Sequence, residues 1–303
     1  MNKLVLISDM HLSVDNPVAR LDDCKETGYN KLQYVLDWAL ENNAVILQAG
    51  DVCHKARSWH LLSDLQEIFS PKDKFYCVYG QHDTSMYNEA TRKATILGAL
   101  AGAKIINILN EAPTYIRGHC VYGCHYGQEV PIPKNNKEFN ILVIHAPITN
   151  EALWEGQDYW DAKAFLIKHS KYKIILCGDI HRKFCVEHDG RYIINTGPMI
   201  RREATIYNFQ HHPGFWVWDD VLSWQEIPHV PAEQVLTRDH IEYKQEAISI
   251  LDEFIRAIKM DVSSENKDIS FMSNLFAFIR ANNLEQDVID EIAKTVGEEK
   301  FYK

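Results

Sequence analysis

The stretch "AVILQAGDVCH" (Ala44–His54) is an apolar run that ends by delivering a carboxylate and an imidazole. Ala44–Leu47 is apolar without interruption, as a strand covered on both faces must be. Gly50 breaks the run, Asp51 follows at once, and His54 stands three residues on. Taken alone, this end suits a turn as well as a site. Its neighbours decide between the two.

The same construction recurs along the chain. "LVLI" (4–7) runs into Asp9-Met10-His11, and "FYCVYG" (75–80) into Gln81-His82-Asp83. "NILVIH" (140–145) ends in His145, and "KIILCG" (173–178) runs into Asp179-Ile180-His181. "CVYG" (120–123) and "RYIINTG" (191–197) are further runs of the same kind. Between the early strands lie helical patterns. Leu32, Val35, Leu36 and Ala39 share one face, as do Leu62, Leu65, Ile68 and Phe69, with Ser58 placed as an N-cap. Strand–helix–strand alternation predicts a layered α/β domain. Ligands of such domains collect outside the carboxyl ends of the strands.

The chain has 303 residues and a net charge of -10. That charge argues against duplex binding by a whole-protein basic field, although a metal site or a local patch can still supply positive charge to a nucleic acid. The seven cysteines form no C-x-x-C pair, and Cys53, Cys77, Cys120 and Cys177 sit in or beside apolar runs. This predicts reduced thiols in a cytosolic protein. "KLVLIS" is too short for a signal segment and no run approaches the ~18 apolar residues of a membrane span, so a soluble, cytoplasmic protein with no membrane partner is expected.

After about residue 205 the texture changes. "TIYNF", "GFWVWDD" and "SWQEIPHV" are aromatic and hairpin-like, which predicts a small β-rich cap over 206–240. A helical tail over 241–303 follows, leaving 1–205 as the catalytic domain. The tail carries 13 acidic and 8 basic residues. Its apolar stripes are Phe254 and Ile258, then Phe271, Leu275, Phe276 and Ile279, then Val288, Ile289 and Ile292, with "DVSSENKD" (261–268) as a linker. Short helices cannot bury such faces unaided, so they should pack on the catalytic domain or in a groove of another protein.

A lone D-x-H after a strand is usually a turn carboxylate beside a surface histidine, and a lone His145 would usually be a satisfied core residue. Five strand ends at equivalent positions, all bearing metal-ligand types, are poorly explained that way. The chemistry needing such a set is two-metal hydrolysis. Imidazole suits Mn, Fe and Zn, and carboxylate suits hard divalent ions. A carboxylate bridging ions ~3.5–4 Å apart can hold a hydroxide between them while both ions clamp the oxygens of an in-line phosphoryl displacement.

In order, "DMH", "GDVCH", "GQHD", "VIHAP" and "GDIH" resemble the calcineurin-like metallophosphoesterase superfamily. "SDMHLS", His54 after Asp51, and "NTGPMIRRE" (195–203) are most similar to its SbcD-type DNA repair exonucleases of bacteria and phages. The resemblance implies a β-sandwich flanked by helices, with a β cap and a helical tail. It implies that Asp9, His11 and His181 bind one metal, that Asp51 bridges, and that Gln81, His145 and Asp179 complete a second. His82 would act beside the scissile phosphate, oriented by Asp83, with His54 at the rim touching the phosphate. Arg201 and Arg202 would contact the phosphate backbone.

Two departures fall on the second metal. Gln81 stands where Asn is usual, and Asp179 where His is usual. The extra carboxylate favours a harder ion, Mn or Mg, over Zn. Two divalent ions are expected, Mn first, with Mg, Fe and Zn as alternatives. The implied partners are DNA, an SMC-like ATPase subunit of SbcC type, and a second copy in a homodimer. A small-molecule phosphodiesterase or phosphatase is the alternative on the same scaffold, and a non-catalytic scaffold is the third reading. His125 is set aside as a residue near but outside the site, and His211, His212 and His229 as members of solvated turns. Trp154, Trp160, Trp216, Trp218 and Trp224 are assigned mostly to packing.

Overall fold

The computed structural model describes residues 3–70, 74–134, 139–261, 271–282, 284 and 286–296. They fall into two compact units, Met1–Thr237 and Arg238–Lys303.

In the first unit β1 (Leu4–Ile7), β2 (Val45–Gln48), β3 (Phe75–Cys77) and β4 (Asn107–Ile108) run parallel. A second sheet follows. It takes in β5 (Thr114–Ile116), β6 (His119–Cys124) and β7 (Asn140–His145). After a small parallel pair, β8 (Ile148–Thr149) and β9 (Trp160–Asp161), come β10 (Ile174–Gly178), β11 (Lys183–His188) and β12 (Arg191–Thr196). The chain then returns to the first sheet as β13 (Gly214–Trp218) and β14 (Leu222–Glu226). The strand orders are β14-β13-β1-β2-β3-β4 and β11-β12-β10-β7-β6-β5.

Side-chain alternation builds the layers. Leu4 and Leu6 of β1 meet Leu47, Val143, Leu176 and Ile194 in a core between the two sheets. Val5 and Ile7 point the other way, into a core closed by α1 (Cys24–Glu41), α2 (Trp59–Ile68) and α3 (Ile96–Gly102). The outer face of the second sheet is covered by Phe165 and Leu166 of α4 (Ala162–Lys168). The expected sandwich between helices is therefore present. Each fully buried aliphatic side chain contributes about 1.5–3 kcal/mol.

The caps agree with the sequence. Ser58 Oγ accepts from Leu61 N at 3.2 Å and Asp23 from Glu26 N at 2.9 Å, each satisfying a free N–H of a first turn.

The predicted separate cap over 206–240 is corrected. "TIYNF" is not a strand but the short helix α5 (Ile206–Gln210), because Thr205 accepts from Asn208 N at 3.2 Å and caps it. The β13–β14 hairpin exists, but β13 pairs antiparallel with β1, matching Leu4 with Trp218 and Leu6 with Trp216. It extends the catalytic sheet and covers the edge that β1 would otherwise expose. α6 (Ala232–Val235) closes this unit.

The second unit holds α7 (Asp239–Asp261), α8 (Phe271–Ala281) and α9 (Gln286–Val296). Leu275 and Ile279 are buried with Ala293, and Leu251, Phe276, Ile289 and Ile292 pack around them. These stripes thus find one another within the tail. The side chains of Phe254, Ile258 and Phe271, and the linker residues 262–268, lie outside the described residues. No described helix is long and apolar enough to cross a membrane.

Candidate metal centre

The loops after β1, β2, β3, β7 and β10 converge, and the tight turns they make are visible in the backbone. Asp9 (φ 43°), His11 (φ 46°), Asp51 (φ 55°) and Asp179 (φ 87°) all sit in the left-handed region. Non-glycine residues enter it at a cost of order 1–3 kcal/mol each and persist where surrounding structure imposes it. Two glycines allow the approach. A Cβ on Gly80 would stand 2.1 Å from Asp51 Oδ1, and one on Gly50 (φ 84°) 2.4 Å from His145 Nδ1.

Asp51 lies at the middle. Its Oδ1 accepts from His82 N at 2.9 Å. Its Oδ2 faces His11 Nε2 at 3.5 Å and His145 Nε2 at 3.4 Å. On the His11 side, His11 Nε2 and His181 Nε2 approach to 2.9 Å, and His181 Nε2 lies 3.8 Å from Asp9 Oδ1. On the other side, His145 Nε2 lies 3.9 Å from Asp179 Oδ1, which accepts from Gln81 Nε2 at 2.5 Å. His145 Nδ1 donates to Ala49 O at 2.6 Å, which turns Nε2 to the site. Such a carbonyl anchor is how metal-ligating imidazoles are oriented.

Whether these residues suit divalent ions can be tested on their unpaired atoms. Asp9 Oδ2, Asp51 Oδ2, Gln81 Oε1 and His145 Nε2 are buried and have no hydrogen-bond partner. Such atoms are costly to bury unless something compensates them. The three oxygens are acceptors, and His145 Nε2 becomes one when its proton is displaced, so a cation satisfies them and another carboxylate or amide oxygen would not. The triads Asp9–His11–His181 and Asp9–Asp51–His145 each bring their ligand atoms within 4.8 Å. The two triads have Asp9 in common, and Asp51 Oδ2 faces both His11 and His145, so the residues fit two ions side by side. A third triad, His11–His54–His82, meets the same limit.

The charges point the same way. Burial pushes Asp9 up to about 6, against the opposing pull of His181 and His145. Burial acts upward on Asp51 too, but His145, His11 and His82 hold it below the usual carboxylate range. Burial depresses His11 well below the ordinary imidazole range. Burial would depress His145 also, yet Asp51, Asp9 and Asp179 hold it at about 10. Three carboxylates thus crowd one buried imidazole, an arrangement that attracts cations.

His82 and His54 stand beside this centre. Their rings stack with centroids 5.2 Å apart, and the His82 ring meets His11 edge-on at 4.9 Å. His82 Nδ1 donates to His54 O at 3.0 Å, so Nε2 is the free nitrogen. Burial, then Arg202 and His82, depress His54 to about 4.

Three expectations are corrected. Asp83 does not orient the His82 ring. Its carboxylate accepts from Cys53 N (2.9 Å), Gly80 N (3.0 Å) and Val52 N (3.3 Å), buckling two site loops together. Burial and neighbouring Asp51 push it up to about 7. Arg201 does not face the site either. It is buried and donates to the carbonyls of Val230 (2.5 Å) and His211 (3.5 Å). Arg202 is half-buried, with Nη1 unpaired and its charge felt by His54. His125 is buried with Nδ1 accepting from Tyr79 N at 3.0 Å, outside the ligand set. His211, expected in a solvated turn, is buried, and its Nε2 donates to Pro198 O at 2.9 Å.

Two exposed aromatics at the site went unread in the sequence. The Tyr87 ring stands 6.3 Å from His82 and the Tyr126 ring 6.2 Å from His145. Neither follows an apolar run directly, which is the signal that found the others.

Comparison with known proteins adds three findings. The model of the calcineurin-like phosphoesterase family matches residues 3–183, more than half of the chain. No curated protein matches it. Among solved structures, the chain is similar to a Thermus thermophilus protein, with 12% identity and a TM-score of 0.46 over 75% of this chain and 99% of that one. It is similar to an archaeal phosphodiesterase, with 12% identity and a TM-score of 0.42 over 74% of this chain and 99% of that one. It is also similar to a Candida albicans 5'-nucleotidase, with 12% identity and a TM-score of 0.42 over 75% of this chain and 52% of that one.

Proposed function

The chain belongs to the calcineurin-like phosphoesterase family, and from that premise we propose that it is a metal-dependent DNA nuclease of the SbcD-like branch. Phosphoester hydrolysis at a dinuclear divalent metal site is the family's chemistry. The finer reading, DNA as substrate and repair or recombination as setting, rests on "SDMHLS", His54 and the segment "NTGPMIRRE".

The observation that carries the proposal is the position of Asp51 Oδ2, unpaired, buried and between His11 Nε2 at 3.5 Å and His145 Nε2 at 3.4 Å. Asp9, His11 and His181 would hold one ion, Gln81, His145 and Asp179 the other, and Asp51 would serve both. When bound, the ions supply Lewis-acid charge at the phosphoryl oxygens and acidify water. The chain's own residues do the rest. His82, anchored through Nδ1, presents Nε2 to the scissile phosphate as acid to the leaving oxygen or as a donor in the transition state. His54 and Arg202 meet the substrate's non-bridging oxygens at the rim. Asp179 makes the second position more anionic and favours Mn or Mg there.

A second reading, a small-molecule phosphodiesterase or phosphatase, is favoured by the net charge of -10. Manganese-dependent hydrolysis of labelled single- and double-stranded DNA, measured beside bis-p-nitrophenyl phosphate, separates the two. We expect DNA cleavage that disappears on chelation and returns with Mn better than with Zn. Hydrolysis of the small diester without DNA cleavage would select the second reading, and robust activity after thorough chelation would remove both.

The helical tail is proposed to bind an SMC-like ATPase subunit. The support is its net negative charge and the exposed Ile248 and Tyr243 on α7.

A further inference from the structure

We infer that a groove built by the segments that continue from His54 and His82 binds a single nucleic acid strand by stacking one base on Trp59, an inference that rests on the nuclease reading above. Trp59 opens α2 and is 86% exposed. A tryptophan that open contributes little to the core and offers a whole ring face to solvent. It forms one wall of a groove of about 690 Å³, with Leu62, Ile96 and Ala99 along the floor. That volume lies within the ~300–1,000 Å³ of ligand sites.

The charge at the groove identifies the occupant. Among the described residues its charged lining is Arg57 and Lys93, both cations, on a chain whose net charge is -10. The Arg57 Nε–H donates to Ala94 O at 3.1 Å, and Lys93 Nζ has no protein partner among the described residues. An apolar floor, one exposed indole and two available cations suit a strand that alternates flat bases with phosphates.

The groove is also joined to the catalytic loops. Trp59 lies on the continuation of the loop that carries His54, and Lys93 on the segment that follows His82. Ile96 N donates to Ala56 O at 2.9 Å and ties the two segments together. A strand whose scissile phosphate meets His82 therefore has, on segments that continue from the catalytic loops, a surface for its flanking nucleotides. This would favour single-stranded ends over closed duplex, because a paired base cannot offer its face to Trp59.

The test is fluorescence anisotropy with a labelled oligothymidylate, in chelator so that nothing is cut. Trp59→Ala should weaken binding about 5- to 150-fold, the range for loss of one base–aromatic stack. Trp59→Phe should recover most of it. Lys93→Gln should reduce the slope of log affinity against log salt by about 0.7. Thermal melts of the variants check that the fold is intact, which is expected because Trp59 is on the surface. Wild-type protein that does not bind the strand, Trp59→Ala binding as tightly as wild type, or Trp59→Phe binding as weakly as Trp59→Ala would each overturn the inference. The last two hold even if the groove then proves to take a peptide. Wild-type hydrolysis of bis-p-nitrophenyl phosphate with Mn tests the catalytic reading separately. A failure there with binding intact condemns the chemistry and spares the groove.

Discussion

Asp51 and His82 are one hydrogen bond apart, at 2.9 Å, yet the geometry gives them different duties. The free oxygen of Asp51 faces two ligand histidines, whereas His82 has one nitrogen anchored on a carbonyl and the other free. Asp51→Ala should therefore empty the site, read as metal stoichiometry. His82→Asn should keep the metals and slow diester turnover by roughly 10²–10⁴-fold, the usual contribution of a positioned acid. Loss of metal from His82→Asn would show that His82 is a ligand, as the His11–His54–His82 triad allows. Asp83 makes a contrasting case. It accepts three backbone N–H groups and touches no ring nitrogen of His82. At about 1–3 kcal/mol for each buried donor left unpaired, Asp83→Ala should lower unfolding stability in urea by ~3 kcal/mol or more. A variant that kept its stability and lost only turnover would restore the ring-orienting role.

At the scale of elements, α1 carries a residue that makes stability depend on pH. Lys31 is buried on that helix and donates to Met199 O at 2.9 Å. Burial, with Arg201 and Arg20 nearby and only partial relief from Cys24 and Asp22, lowers it from 10.5 to about 7. This is a base whose folded pKa lies below its unfolded one. Between about pH 7 and 10.5 the unfolded chain holds the proton and the native chain does not. Stability should climb with pH across that window, approaching ~1.4 kcal/mol per unit from this group, and be flat in it below pH 7. Lys31→Met should remove that slope in urea titrations taken at several pH values. An unchanged slope would place the Lys31 ammonium in contact with solvent.

Elements of this size were largely legible. β7 spans the run 140–145 that its apolar pattern marked, and α1 buries Leu32, Val35, Leu36 and Ala39 as their spacing required. Nine site residues converge where five strand ends pointed. What local pattern could not carry was partnership. Nothing within "GFWVWDD" says that its neighbour is "LVLI", and the aromatic content of "TIYNF" concealed a helix that a single Thr205 cap decides. Asp83 and Arg201 were misread for a related reason. Their partners include backbone atoms, Cys53 N and Val230 O, that reach them only once distant loops meet.

For the whole molecule, the division after Thr237 makes a strong claim. The first unit contains both sheets, the candidate metal centre and the Trp59 groove. A fragment of residues 1–237 should fold, bind two metals and hydrolyse bis-p-nitrophenyl phosphate at close to the full-length rate. It should form no complex with the ATPase if the tail is the docking element. A fragment that precipitates, or one that still co-purifies with the ATPase, would reject this division of labour. The proposed boundary matters, because a cut near 205 would remove β13 from the side of β1. That pairing has a consequence for biosynthesis. Leu4 leaves the ribosome long before its cross-strand neighbour, Trp218. At ~5–20 residues per second the nascent strand waits roughly ten to forty seconds with one edge open. During that interval Asp9 and His11 hang from a strand that other chains could capture. Yield of soluble protein should then depend on how fast the ribosome reaches the hairpin.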